Sequence, residues 1–408
     1  MPQGDAIQRI ATLSHRTEAK LAMPRHRLLK ALLPSLAIVL AAATPALPQG
    51  APSGTTAASS DYQARLAAYQ RVREPYEQRA TAYWDEVAAK RRIRNDKRRA
   101  HEPILLEDYV LEQPPLYSGP PRPVDPNAPP GPAPGEALPI PLLADFLANA
   151  KAHFDFLPDR PQSELDFKRA YARAASEAGL TREQIVGVYA FETGGNGTYD
   201  MQAGVTPTRP RAISPAVGYN QLLSTNTVSI LAEHGADILA TLRAKAKNMT
   251  GPAKASMERK IEAFKRMVAH SRTGPQRWVD WDKMAKNTPA GIGIHAAILD
   301  RDIGPLLQVQ KLAASLHFAR MKGYTATLTA PELELMNLTG DSTGLDMVMM
   351  PHAFRARVPT ANFFQQRGYD RNPVARRTGV VAGLIADMES QMARGAQSPG
   401  ARELAAAF

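Results

Sequence analysis

Glu192 closes an apolar run, Ile185, Val186, Val188, Tyr189 and Phe191, and is followed at once by Thr193, Gly194 and Gly195. A carboxylate carried out of an apolar helix into loosened backbone has two readings. It can be a helix-end residue before a glycine stop. It can also be a proton donor at the lip of a cleft, because apolar surroundings keep a carboxyl group protonated near neutral pH. The choice turns on what the chain places near it. Downstream, residues 211–227 read RAISPAVGYNQLLSTNT: a Ser-Pro turn at Ser214 and Pro215, then Gly218, then Gln221 and the start of another helix.

In this order the chain resembles the lysozyme-like lytic transglycosylases. Their catalytic helix ends in Glu-Ser, and a Ser-Pro-x-x-x-Gly-Leu-Met-Gln-Leu segment follows. The positions that match are Glu192, Ser214, Pro215, Ala216, Gly218, Gln221, Leu222 and Thr225 or Thr227; Thr193 stands for the family Ser, and Tyr219-Asn220 for Leu-Met. A third segment, ELELMNLTGDSTG at 332–344, can be laid on the family's Ala-Tyr-Asn-Ala-Gly through Asn337 and Gly340, with Met336 in the Tyr position. The resemblance implies cleavage of peptidoglycan strands with Glu192 as the one acid/base and no cofactor. It implies substrate contacts from Thr193, Ser214, Gly218, Tyr219, Gln221 and Asn337. The family tyrosine contacts the catalytic glutamate, and Tyr199, Tyr219, Tyr324 or Tyr369 could replace it here. A non-catalytic wall-binding or envelope-assembly protein of the same fold is the alternative.

Other chemistries find little in the sequence. There is no cysteine, hence no thiolate nucleophile and no Cys-ligated zinc. The nine histidines form no His-Glu-x-x-His motif, and no metal site is expected. Asn196 and Asp200 lack the spacing and closing Glu of an EF-hand. His295 and Asp300, on one stretch, read as structural, and Phe363 and Phe364 as an aromatic anchor beneath a loop. If water rather than an internal hydroxyl attacks, a second carboxylate is needed; Asp200, Glu233 and Asp341 are the candidates.

The elements that must position these groups are helical. Thr181 and Gln184 have capping-box spacing at the head of the Glu192 helix, and Gly179 suits the end of the helix before it. From Leu142 to residue 395 strand-like alternation is scarce, so a mainly α, lysozyme-like domain is expected over 142–395, with a flexible tail at 396–408. Residues 47–111 read as a basic helical region, unstructured over 50–60, with Pro75 splitting or kinking it. Its run KRRIRNDKRRA, residues 90–100, suits contact with an anionic envelope surface. Residues 112–141, dense in proline, read as an extended linker between two separable units.

Residues 1–46 carry a basic lead, an apolar stretch from Ala31 to Ala43 and small residues, the order of an export signal. A periplasmic or secreted protein is implied, membrane-anchored if the segment stays. The net charge is +11, and removing residues 1–46 takes away six basic and two acidic residues, leaving +7. A basic exported chain suits an anionic partner such as a wall polymer; nucleic acid is not expected outside the cytoplasm.

Overall fold

In the computed structural model, residues 55–127 and 139–408 are described, apart from 207, 209 and 210. The export segment lies outside them. A long helix, α1 (Thr55–Ala100), is followed by α2 (Leu143–Phe154), α3 (Glu164–Glu177), α4 (Arg182–Thr193) and α5 (Ser224–Lys247). Then come α6 (Gly251–Ser271), α7 (Trp278–Asn287), α8 (Pro289–Ile294), α9 (Gly304–Met321), α10 (Ala330–Thr339) and α11 (Asp341–Val348). The chain closes with α12 (His352–Arg355), α13 (Gln366–Arg371), α14 (Pro373–Thr378), α15 (Val381–Ala396) and α16 (Pro399–Ala405). The described residues hold isolated β-bridges but no strand, so the fold is mainly α. Among them no helix is long and apolar enough to cross a membrane.

Two apolar clusters organise these helices. One is built on α3, α4, α10 and α15, through Tyr171, Ile185, Val188, Leu335 and Leu384. The other joins α2, α5 and α6, through Phe146, Leu231, Leu242 and Phe264. Helix α9 serves both: Leu307, with Ile303 just before the helix, enters the second, and Val309, Leu312 and Leu316 enter the first. Helix α4 starts as its sequence dictates. The Thr181 hydroxyl accepts from the Gln184 N–H at 3.2 Å, and the Gln184 side chain accepts from the Thr181 N–H at 2.8 Å. Gly187, inside α4, is needed for close approach: a Cβ there would lie 2.5 Å from the Ala330 Cβ at the start of α10. Gln184 donates to the Leu328 carbonyl at 2.7 Å before this contact and Asn337 reaches Glu192 at 3.2 Å after it, so the two helices run side by side in the same direction and bring their later turns to one end.

The N-terminal region departs from expectation. Helix α1 is unbroken from Thr55, with Pro75 inside it. Pro75 lies on the exposed face, where water can reach the carbonyl it leaves unpaired. Residues 104–113 run back along α1, and the proline-rich stretch begins by folding onto the same helix. The Tyr117 ring sits 5.1 Å from that of Tyr76 and 6.3 Å from that of Tyr69, with the Arg73 guanidinium 4.7 Å from the Tyr117 ring centre. The spacer expected at 112–141 is thus packed in its first part, and the described residues between 56 and 408 fall in one compact unit rather than two separable ones. The tail expected at 396–408 is also packed: α16 buries Ala401 and Leu404.

The basic run at 90–100 is largely spent inside the fold. Arg91 donates to the carbonyls of Asn362 and Phe364 at 2.9 and 2.8 Å. Arg94, 1% exposed, donates to the carbonyls of Asp108 and Asn362 at 2.8 and 3.1 Å and lies over the Tyr109 ring. Lys97 pairs with Asp108 at 2.7 Å. Asn362 in turn bonds both backbone groups of Val110, accepting at 2.9 Å and donating at 2.7 Å. Phe363, as expected, is an anchor, its ring 6.0 Å from that of Tyr109. Replacing Arg94 leaves the buried Asp108 carbonyl without a donor and the Asn362 carbonyl with Arg91 alone. The Arg94→Met variant should lose about 2–4 kcal/mol in urea denaturation, and Arg92→Met on the exposed face less than ~0.5 kcal/mol; equal losses would refute the clamp.

Candidate active site

Helix α4 ends at Thr193, and Gly194 turns the chain with φ 65°. Gly195 (φ 80°) meets the end of α15 so closely that a Cβ would sit 2.0 Å from the Gly395 carbonyl oxygen. The glycine stop is therefore real and makes room for the C-terminal helices. It does not exhaust the role of Glu192, which faces a cleft of about 800 Å³. Gln221 and Asn337 line the same cleft, as do Asn220, Trp278, Lys311 and Asp341.

Behind Glu192 stands a residue that sequence reading did not single out. Glu334, on α10, is fully buried between Leu333 and Leu335. Its carboxyl group hydrogen bonds to that of Glu192. Asn337, one turn further along α10, donates from Nδ2 to Glu192 Oε1 at 3.2 Å and to the two Glu334 oxygens at 3.4 and 3.3 Å. Burial lifts Glu192 from an ordinary 4.5 to about 7, while the hydrogen bond from Glu334 pulls the other way. Burial, then the Glu192 charge and the bond donated to it, hold Glu334 well above the carboxylate range; Asn337 and Lys311 oppose this weakly. Glu334 thus keeps its proton and points it at Glu192. Glu192 also sits in the last turn of α4, where the helix dipole disfavours added negative charge.

The hairpin at 217–222 forms the opposite wall. Val217 and Leu222 exchange backbone hydrogen bonds at 3.1 and 3.0 Å, and the turn between them uses Gly218 at φ 83° and Gln221 at φ 41°. This segment is a tight turn rather than the start of a helix, which begins at Ser224. Gln221 is strained, as a non-glycine residue in the left-handed region. Its amide holds the turn, donating to the Gly218 carbonyl at 2.8 Å. Asn220 is fixed from three sides. It accepts from the Tyr171 hydroxyl at 2.8 Å, donates to the Gln308 carbonyl at 2.9 Å, and its N–H meets Gln308 Oε1 at 3.0 Å.

Four expected contacts serve the scaffold instead. Thr193 returns its hydroxyl to the Tyr189 carbonyl at 2.6 Å. Ser214 accepts from the Ala216 N–H at 3.2 Å, closing the Ser-Pro turn. Gly218 is needed because a Cβ would sit 2.6 Å from Gln308 Nε2, so its freedom serves protein packing. Tyr219 is buried in the core, its ring edge-on to those of Phe167, Tyr171 and Tyr189 and its hydroxyl donated to Glu164. Met336 is buried too, and among the described residues no tyrosine lines the cleft. Thr227 and the Pro215 carbonyl hold the buried His295 at 2.8 and 3.0 Å, and burial pushes its imidazole down to about 4, so it is neutral and structural. Asp300 pairs with Lys260 at 3.0 Å. Of the candidate second carboxylates, Asp200 pairs with Arg160 and Glu233 is exposed on α5; Asp341 alone is in the cleft, accepting from Ser315 at 2.5 Å with Lys311 3.9 Å away. Among the described residues no group of three His, Cys, Asp or Glu side chains could hold a metal ion.

One sequence signal could have found Glu334. Glu332 and Glu334 alternate with leucines in an apolar helix, and Glu332 is accounted for as the capping partner of Thr329. The second glutamate had no such use. No family model, curated protein or solved structure matches this chain.

The paired carboxyl groups link stability to pH with a definite sign. Both bind protons in the folded chain at pH values where the unfolded chain, with an ordinary 4.5, has released them. The stability contributed by Glu192 is full below 4.5 and is lost as pH rises through about 7, while Glu334, held well above the ordinary range, keeps binding a proton that the unfolded chain has released. Urea denaturation at pH 5 and pH 8 should show Glu334→Gln recovering ~1–3 kcal/mol relative to the parent at pH 8 but not at pH 5. An equal difference at both pH values would rule out the shared proton.

Proposed function

We propose that the chain is a peptidoglycan lytic transglycosylase of lysozyme-like fold, with Glu192 as its single acid/base, acting in the periplasm or outside the cell. The observation that carries the reading is the Glu192 carboxyl group raised to about 7 at the wall of a cleft, with a protonated Glu334 behind it. A group of that pKa gives and retakes a proton near neutrality. In the proposed reaction Glu192 protonates the glycosidic oxygen as the C1–O bond breaks. The sugar's own 6-hydroxyl then bonds to C1 and returns its proton to Glu192, leaving a 1,6-anhydro end. Between the two steps, hydrogen bonds from Glu334 and Asn337 limit the cost of the Glu192 charge in an apolar wall.

Glu334 does not serve as the second carboxylate of a hydrolase. Two-carboxylate glycosidases place the groups about 5–9.5 Å apart on opposite sides of the sugar. Glu334 hydrogen bonds to Glu192 from the same side and is fully buried. Asp341 remains the carboxylate through which a hydrolytic variant of the reading would work. The lack of a cleft tyrosine favours a second reading, a glycan-binding protein that does not cleave.

Purified full-length protein incubated with sacculi should release muropeptides carrying anhydro-muramoyl ends. The Glu192→Gln variant should lower that release by roughly 10²–10⁴-fold with unchanged circular dichroism. Reducing ends would replace the lyase with a hydrolase and direct attention to Asp341. Sacculus binding without release by the parent protein would establish the second reading.

A further inference from the structure

A cavity larger than the Glu192 cleft lies away from it. It holds about 1090 Å³, above the ~300–1,000 Å³ of most small-molecule sites, and shares no lining residue with the Glu192 cleft. It is walled by the end of α1 and the residues after it, the end of α9, and α11 with its following turn. Its floor is apolar: Ile104, Tyr109, Phe318, Leu345 and Met350. Two methionines at the opening, Met321 and Met349, are 58% and 53% exposed, far more than methionine usually is.

Arg98, Arg99 and Lys322 put cations at the mouth, beside His101 and against the carboxylates of Glu102 and Asp346, and Arg99 pairs with Asp96 on the exposed side of α1. Asp346 is already engaged: Arg98 Nη2 lies 2.6 Å from it, and Arg91 and Arg94 add their charges nearby. Three guanidinium groups thus act on one carboxylate, and the field at that wall stays positive. A basic rim over an apolar floor suits a ligand with an apolar body and an anionic head. A peptide suits it poorly, because its backbone N–H and C=O groups would be desolvated against a floor of aliphatic and aromatic carbon. Unbranched, adaptable methionines suit an acyl chain.

We propose that this cavity binds an anionic amphiphile, an acyl chain with a phosphate head, the chain over the Phe318, Leu345 and Met350 floor and the head among Arg98, Arg99 and Lys322. The site gives the basic run at 90–100 its exposed function, since Arg91, Arg94 and Lys97 are committed to the fold. It stands independently of the chemistry at Glu192.

The probe is palmitoyl lysophosphatidylglycerol below its critical micelle concentration, titrated calorimetrically into the full chain. Monopalmitoylglycerol supplies the chain without the charge, and glycerol phosphate the charge without the chain. Saturable binding of the lysolipid is expected, with the uncharged ester at least about fivefold weaker and glycerol phosphate not detected. The Arg99→Glu/Lys322→Glu variant alters two exposed side chains and should bind at least about tenfold more weakly at unchanged melting temperature. Met349→Asp should weaken binding through the apolar lip of the opening instead. No saturable binding, equal affinity of parent and variants, equal affinity for the uncharged ester, or glycerol phosphate binding as tightly as the lysolipid would each overturn the proposal.

Discussion

Two carboxyl groups in hydrogen-bonding contact inside a protein cannot both be ionised, and this constraint governs the cleft. With Glu334 sealed among Leu333, Leu335 and Met336, the proton it retains has one useful direction, toward Glu192. The surrounding structure serves to bring the two groups together. Gly187 lets α10 close on α4, the shared direction of the helices carries both carboxyl groups to one end, and Asn337 bridges them. A residue with a side chain at 187 would act at Glu192 without touching it, by holding the two helices apart.

Helix α1 shows a similar economy at larger scale. A run of arginines and lysines reads as a surface feature because its charges cannot show which backbone carbonyls they will meet. Here Arg91, Arg94 and Lys90 end on carbonyls of residues 107–109, 362 and 364, and so convert a basic helix into a clamp. Guanidinium groups suit this task because several donors lie in one plane. The helix keeps its length past Pro75 because that residue faces water.

What was legible in the sequence was local. The Thr181–Gln184 capping box, the glycine stop after Glu192 and the anchoring of Phe363 each depend on near neighbours or strong patterning, and each appears as read. Glu192, Gln221 and Asn337 meet in one cleft. Side-chain direction was not legible. Tyr219 carries a hydroxyl and sits in a polar-looking turn, yet three aromatic rings and Glu164 draw it into the core. Gly218 suggested room for a ligand, but Gln308, contributed by α9, takes that room. Glu334 stood out only as the glutamate of its run that no cap uses, and the partner it faces lies on another helix, which the sequence does not show. The packing of the proline-rich stretch on α1 rests on Tyr117, one aromatic ring amid residues whose composition favours extension.

The turn after Glu192 is fastened by the far end of the chain. Ser398 donates its hydroxyl to the Gly194 carbonyl at 3.2 Å, and the Gly400 N–H meets Asn196 Oδ1 at 3.0 Å, with 204 residues separating each pair. Protein synthesis delivers α4 long before α15 and α16 exist. A growing chain therefore displays Glu192 on a helix whose exit stays untied until residues 398–400 have emerged. Synthesis of that segment is itself a step in fastening the turn, and a chain that stops before Ser398 has the glutamate but lacks its tie.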